Sequence, residues 1–167
     1  PSAQSIVVSD DESVLDAIDQ ALSQEVPKRV RESIIRKALN DYGKALLLTS
    51  KSMYDVINEI APEHLEICTK NPEAHLPFIQ NAGSIFVGPY TPEAIGDYIA
   101  GPNHTLPTSG TARFASGLST FDFLKRTSIV TYTQKAFNDV YEDVIRLADQ
   151  EQLDAHAYSM RIRKENV

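Results

Sequence analysis

The polar chemistry of this chain rests on four histidines, His64, His75, His104 and His156, and on two carboxylates near them, Glu63 and Asp97. Each histidine needs company before it reads as functional. His75 has none beyond a nearby Pro77 and reads as structural. Glu63 and His64 are adjacent, and neighbours in an extended segment point to opposite faces, so they do not form a simple mutual dyad. They either present an acid and a base to different atoms of one substrate, or Glu63 merely caps the preceding helix. Asp97 precedes His104 by seven residues, with Gly101-Pro102-Asn103 forcing a turn between them. Such a turn can return a carboxylate and an imidazole to one point, where they bind a metal or a cationic group; alternatively Asp97 ends a helix and His104 fills a loop. His156 lies in an apolar helical stripe between Leu153 and Met160, either as a ligand aimed into a site or as a core residue donating to a backbone oxygen.

Other chemistries lack their signatures. There is no GxGxxG and no GxxxxGK[ST], so no glycine-rich phosphate cradle is visible. No Ser or Cys sits in a nucleophile elbow. Cys68, the single cysteine, lies in an apolar run and reads as packing rather than as a thiolate. With no partner for a disulfide it fits a reducing cytoplasm. A net charge of −7, from 16 basic and 23 acidic residues, disfavours nucleic acid and anionic membranes as partners. No apolar run approaches the roughly 20 residues of a membrane helix, and no charged-then-apolar leader precedes Ser5.

The elements that must position these residues alternate. Ser5–Ser9 is a short β-branched strand, and Ser9 with Glu12 matches a capping box for a helix over residues 10–24 that faces inward with Val14, Leu15, Ile18 and Leu22. Pro27 suits the first turn of a second helix ending near Gly43. Residues 45–49 are apolar on both faces, as a covered parallel strand requires. A third helix is capped by Ser50 or Ser52. His64–Cys68 and Gly83–Gly88 read as strands, with helix starts at Asn71-Pro72-Glu73 and Thr91-Pro92-Glu93. The loop from Gly96 to Thr120 holds four of the seven glycines, and its length marks it as functional. Ser128–Thr133 is predicted as a last strand, before two amphipathic helices. The fold class is therefore α/β, with strands and helices alternating around a mostly parallel, Rossmann-like but incomplete sheet. Residues 1–133 form the α/β domain, and residues 134–167 a helical tail that is a separate lobe or packs on a partner subunit.

Ala61-Pro62-Glu63-His64-Leu65-Glu66, Gly83-Ser84-Ile85-Phe86-Val87-Gly88, Gly96-Asp97-Tyr98, Gly101-Pro102-Asn103-His104-Thr105-Leu106-Pro107-Thr108 and Gly110-Thr111-Ala112-Arg113 together resemble histidinol dehydrogenase. The likeness runs over most of the chain and keeps the order of the motifs. It implies an NAD-linked, zinc-dependent oxidation of L-histidinol through L-histidinal to L-histidine, the end of histidine biosynthesis. It further implies that His64 is the general base and contacts substrate, and that Glu63 activates water on the aldehyde. Asp97 resembles the acidic zinc ligand and His156 the late zinc-binding histidine, and both also contact substrate. His104 and Glu151 are similar to substrate contacts. Glu151 and His156 are five residues apart, so both reach one ligand only if the helix breaks between them.

Members of that family are much longer. The resemblance covers their C-terminal portion, so the NAD site and two further zinc ligands, a Gln and a His, are expected upstream of Pro1. Two ligands fall short of the three or four that zinc draws from a protein, and this chain alone is expected to bind zinc weakly and to lack activity. The resemblance also implies a homodimer whose C-terminal tail completes the other subunit's site. Two other readings compete: a non-catalytic α/β dimerisation module, and a metal-dependent hydrolase using Glu63 and His64.

Overall fold

Ile6-Val7-Val8-Ser9 forms strand β1 (Ile6–Ser9), and its β-branched side chains pack on a pleated surface more readily than in a helix. The computed structural model, which describes residues 1–165, divides into two compact units, Pro1–Phe123 and the remainder from Leu124. In the first unit β1 leads into α1 (Glu12–Glu25). The capping residue is Asp11 rather than Ser9: its carboxylate accepts from the Ser13 N–H at 2.9 Å, while Ser9 Oγ accepts from the Asp11 N–H at 3.1 Å. A carboxylate two residues closer to the helix answers the free N–H groups more directly. Pro27 sits in a separate 3-10 turn, Val26–Lys28, and α2 (Glu32–Tyr42) starts after it, with Gly43 as its cap.

The chain returns as β2 (Lys44–Leu47), parallel to β1 with Ile6 opposite Lys44 and Ser9 opposite Leu47. After α3 (Ser50–Ile60) the pattern repeats with β3 (His64–Ile67) and β4 (Ser84–Val87), parallel, with His64 opposite Ser84 and Glu66 opposite Phe86. The connection between them is a 3-10 helix, Pro72–Phe78, in which His75 Nδ1 lies 2.8 Å from the Tyr54 hydroxyl. The α/β alternation and the parallel pairing are thus observed, with the strands joined two by two. β2 is mostly exposed, against the expectation of a strand covered on both faces, because its pair has no third strand among the described residues. Leu15, Ile18 and Leu22 of α1 face Ile35 and Leu39 of α2 across an open groove of about 960 Å³. Cys68, just past β3, is exposed rather than packed.

Ala61, Ile67 and Phe86 are buried around β3 and β4. A short helix, α4 (Glu93–Tyr98), follows β4. The long loop after it contains one 3-10 turn, Thr111–Arg113, before another at Thr120–Phe123. Arg113 donates to the Glu59 carbonyl and to its carboxylate, which ties the loop to the last turn of α3.

In the second unit residues 124–133 carry no regular structure, so the predicted strand at Ser128–Thr133 is absent. Ile129 and Val130 are exposed there. A strand's backbone groups need a neighbouring strand, and no described residue pairs with this segment. Thr133 instead caps α5 (Gln134–Gln150), accepting from the Ala136 N–H. A turn with Gln152 at φ 60 reverses the chain into α6 (Asp154–Glu165). Ala148 and Ala157 are buried in this unit, and Arg161 pairs with Asp149 at 2.8 Å. No helix among the described residues is long and apolar enough to cross a membrane.

Candidate functional site

α3 ends at Ala61, which adopts the left-handed conformation (φ 49) with its N–H on the Ile57 carbonyl, and this reversal sends the chain into Pro62-Glu63-His64. The carbonyls of Pro62 and Glu63 accept from the N–H groups of Gly83 and Ser84, each at 2.9 Å. A Cβ on residue 83 would lie 2.6 Å from the Glu63 carbonyl oxygen, so glycine alone permits this approach. His64 therefore opens β3 at a fixed register. Residues two apart on a strand share a face, and β3 accordingly sends both the His64 ring and the Glu66 carboxylate toward α4.

Glu66 Oε1 accepts from the Glu93 N–H at 2.8 Å and caps the first turn of α4. Glu93 and Asp97 lie four residues apart, on one side of that helix. Gly96, between them, lets α4 settle on β4: a Cβ there would come within 2.4 Å of Phe86 Cε1. Against this face His64 Nε2 lies 3.8 Å from Glu93 Oε1 and 3.7 Å from Asp97 Oδ1. Both separations exceed a hydrogen bond. Nε2 is buried and has no hydrogen-bond partner. The His64, Glu93 and Asp97 ligand atoms all lie within 4.8 Å of one another, a geometry compatible with a shared cation.

The electrostatics of this corner centre on Glu93. Burial pushes its carboxyl above the usual range, and the hydrogen bond and negative charge of Asp97 push the same way; the His64 ring opposes the shift, and Glu66 adds to it.

Of the residues singled out in the sequence, His64 and Asp97 meet. Glu63 is half-buried beside them in the chain, engaged through its backbone carbonyl. His104 is exposed in the loop and is not part of the cluster; the turn before it is closed by Asn103, whose side-chain oxygen accepts from the Thr105 N–H. Asp97 is reached instead by a histidine from β3, because α4 packs on that strand pair. In the second unit Glu151 caps α5 and His156 sits on α6, both exposed, so His156 is not a core residue. The break required between them is present, as α5 stops at Gln150 and α6 starts at Asp154. Glu93 was missed in the sequence. The signal was its place four residues before Asp97 behind Thr91-Pro92, on the same helical face.

The family model for histidinol dehydrogenase matches residues 1–164. A histidinol dehydrogenase of Clostridium acetobutylicum is 46% identical over 162 residues, covering 96% of this chain and 38% of the relative. One from Acinetobacter baylyi is 45% identical over the same coverage. The crystal structure of histidinol dehydrogenase from Elizabethkingia anophelis superposes with a TM-score of 0.85 at 32% identity, over 98% of this chain and 38% of that one. The chain thus spans well under half the length of the relatives it matches.

Proposed function

Because the chain belongs to the histidinol dehydrogenase family, we propose that it supplies the acid–base and metal-holding corner of an enzyme that oxidises L-histidinol to L-histidinal and then to L-histidine. The observation that carries this reading is the convergence of the His64 imidazole on Asp97 and Glu93, with Nε2 buried and unpartnered. Oxidising an alcohol removes a hydroxyl proton and a carbon-bound hydride. His64 takes the proton, and NAD+, held outside this chain, takes the hydride. The second oxidation first requires water to add to the aldehyde. Glu63, adjacent to His64 in the chain, is the carboxylate that draws the proton from that water, and His64 again accepts the hydroxyl proton as hydride leaves.

Zinc fits the donors present. Carboxylate oxygen and imidazole nitrogen are its ordinary ligands, and paired carboxylates around an unpartnered ring nitrogen favour positive charge. Asp97 would hold the ion together with His156 contributed by a second copy of the chain, and the ion would orient and polarise the substrate without redox change. His104 and Glu151 contact substrate in the same reading. Two protein ligands fall short of a complete zinc set, so the 167-residue chain by itself binds zinc weakly and is inactive. The working protein is a longer, cytoplasmic homodimer.

The test separates the two oxidations in the longer enzyme. His64→Ala lowers turnover of histidinol and of histidinal about 10²–10⁴-fold, whereas Glu63→Gln strikes the histidinal step far harder. Equal loss in both steps with Glu63→Gln contradicts the assigned roles.

A further inference from the structure

Glu63 enters a sheet that has little of its own to hold it. β3 and β4 pair only with each other among the described residues, and a two-stranded pair by itself is marginal in water. Its first rungs run from the Gly83 and Ser84 N–H groups to the carbonyls of Pro62 and Glu63. Such end rungs fray unless the chain leading into them is fastened.

Asn58, near the end of α3, fastens it. Its Oδ1 accepts from the N–H groups of Gln80 at 2.7 Å and Asn81 at 3.2 Å, and its Nδ2 donates to the Phe78 carbonyl at 2.9 Å. The Asn81 amide answers by donating to the Asn58 carbonyl at 3.0 Å. Two N–H groups on one side and a carbonyl on the other suit one orientation of the Asn58 amide, and they need an acceptor and a donor in one short side chain. Tyr54, one turn earlier on the same face, holds the start of this segment: its hydroxyl lies 2.8 Å from His75 Nδ1 and its ring stacks on Phe78. Residues 78–81 are thus tied to α3 just before Gly83, while α3 itself runs through Ala61 into Glu63. Both sides of the first rungs are referred to one turn of helix. His64 lies one residue further into the strand pair and has a second support in Phe86, whose ring centroid is 5.8 Å from its own.

We propose that Asn58 is a positioning residue for Glu63: by fixing residues 78–81 on α3 it sets the approach of Gly83 and Ser84 to the Pro62 and Glu63 carbonyls, and so the place from which the Glu63 carboxylate reaches water at the aldehyde. The catalytic half of that statement rests on the dehydrogenase reading, and the backbone half does not. Asn58 acts through the Glu63 backbone and takes no part in proton transfer.

Hydrogen exchange of the longer enzyme, read on peptides that separate residues 80–81 from 83–84, tests the backbone half. Asn58→Ala should speed exchange at Gln80 and Asn81, and also at Gly83 and Ser84, by about 2–10-fold, the worth of an ordinary hydrogen bond. Faster exchange confined to Gln80 and Asn81 overturns the proposal, because Gly83 and Ser84 bond to Pro62 and Glu63 and not to Asn58. Turnover tests the other half. In Asn58→Ala kcat for histidinal should fall about 10–100-fold, as a misplacement of up to about 1 Å costs, with KM within about twofold and histidinol oxidation lowered at most about threefold. Asn58→Asp keeps both accepted bonds and should recover most of the histidinal turnover. Equal loss in the two oxidations, or a raised KM with kcat kept, makes the role merely structural and overturns the assignment to Glu63. If Asn58→Ala does not fold, Asn81→Ala, which removes only the bond back to the Asn58 carbonyl, is read in its place; exchange at Gly83 and Ser84 unchanged from wild type then counts against the proposal. Should the wild-type longer enzyme oxidise neither compound, the dehydrogenase reading falls, while the exchange rates still decide whether Asn58 sets the Glu63 backbone.

Discussion

Gly96→Ala probes the contact that assembles the site. The added Cβ would lie 2.4 Å from Phe86 Cε1 and 2.8 Å from Cζ, whereas carbon atoms settle at about 3.5–4.0 Å. Relief therefore needs a shift of about 1 Å, and Phe86, 5% exposed, has little room to give it. Overpacking of this kind costs about 1–3 kcal/mol, while replacing glycine by alanine inside a helix returns about 1 kcal/mol. The expected net is a destabilisation of about 0–2 kcal/mol. Phe86→Leu removes Cε1 and Cζ and leaves only the Cδ1 contact at 3.7 Å, which is ordinary. In that background Gly96→Ala should become neutral or stabilise by up to about 1 kcal/mol. The assay is a four-protein urea cycle, with stability read from midpoints at matched slopes. Equal effects of Gly96→Ala in both backgrounds, within about 0.5 kcal/mol, would refute the claim that the missing side chain lets α4 dock. In the longer enzyme the same displacement should cost about 100-fold in turnover.

Asp97→Ala should lower zinc affinity by more than the roughly 10–100-fold typical of an outer-shell change, measured as metal content after dialysis of the longer enzyme; retained zinc would remove Asp97 from the ligand set. Arg113→Ala strips the Glu59 carbonyl of its guanidinium donor and should cost about 1 kcal/mol in urea unfolding, since the exposed ion pair with the Glu59 carboxylate adds little. Asp11 is held below the usual carboxylate range by the Ser13 hydroxyl and by the Ser13 and Val14 N–H groups. A depressed folded-state value contributes stability above the unfolded value of about 3.9, which is lost as pH falls through the folded one. Asp11→Ala should therefore melt at a lower temperature than wild type at neutral pH, with the gap narrowing in acid below that range; a gap independent of pH would show that the carboxylate's charge is not what stabilises α1.

Helices α1 to α6 and strands β1 to β4 were legible in the sequence because their signals are local: apolar residues recurring at helical spacing, short β-branched runs, and turn residues between them. The order of the motifs likewise identified the family without any contact being known. Tertiary structure decided the rest. The β-branched run at Ser128–Thr133 has strand composition but meets no strand edge, so propensity found nothing to pair with. Spacing joined Asp97 to His104 through a turn, yet the imidazole beside Asp97 is His64, delivered by β3. Glu93 entered the cluster with it, because one helical face carries both carboxylates and Glu66 fixes that helix to the strand. The physical reason is the range of the interactions. Backbone hydrogen bonding and periodic burial act over a few residues and leave their mark on neighbouring letters. The meeting of His64, Glu93 and Asp97 depends on a close approach between Gly96 and Phe86, and that complementarity of shape exists only once the strands and the helix have packed.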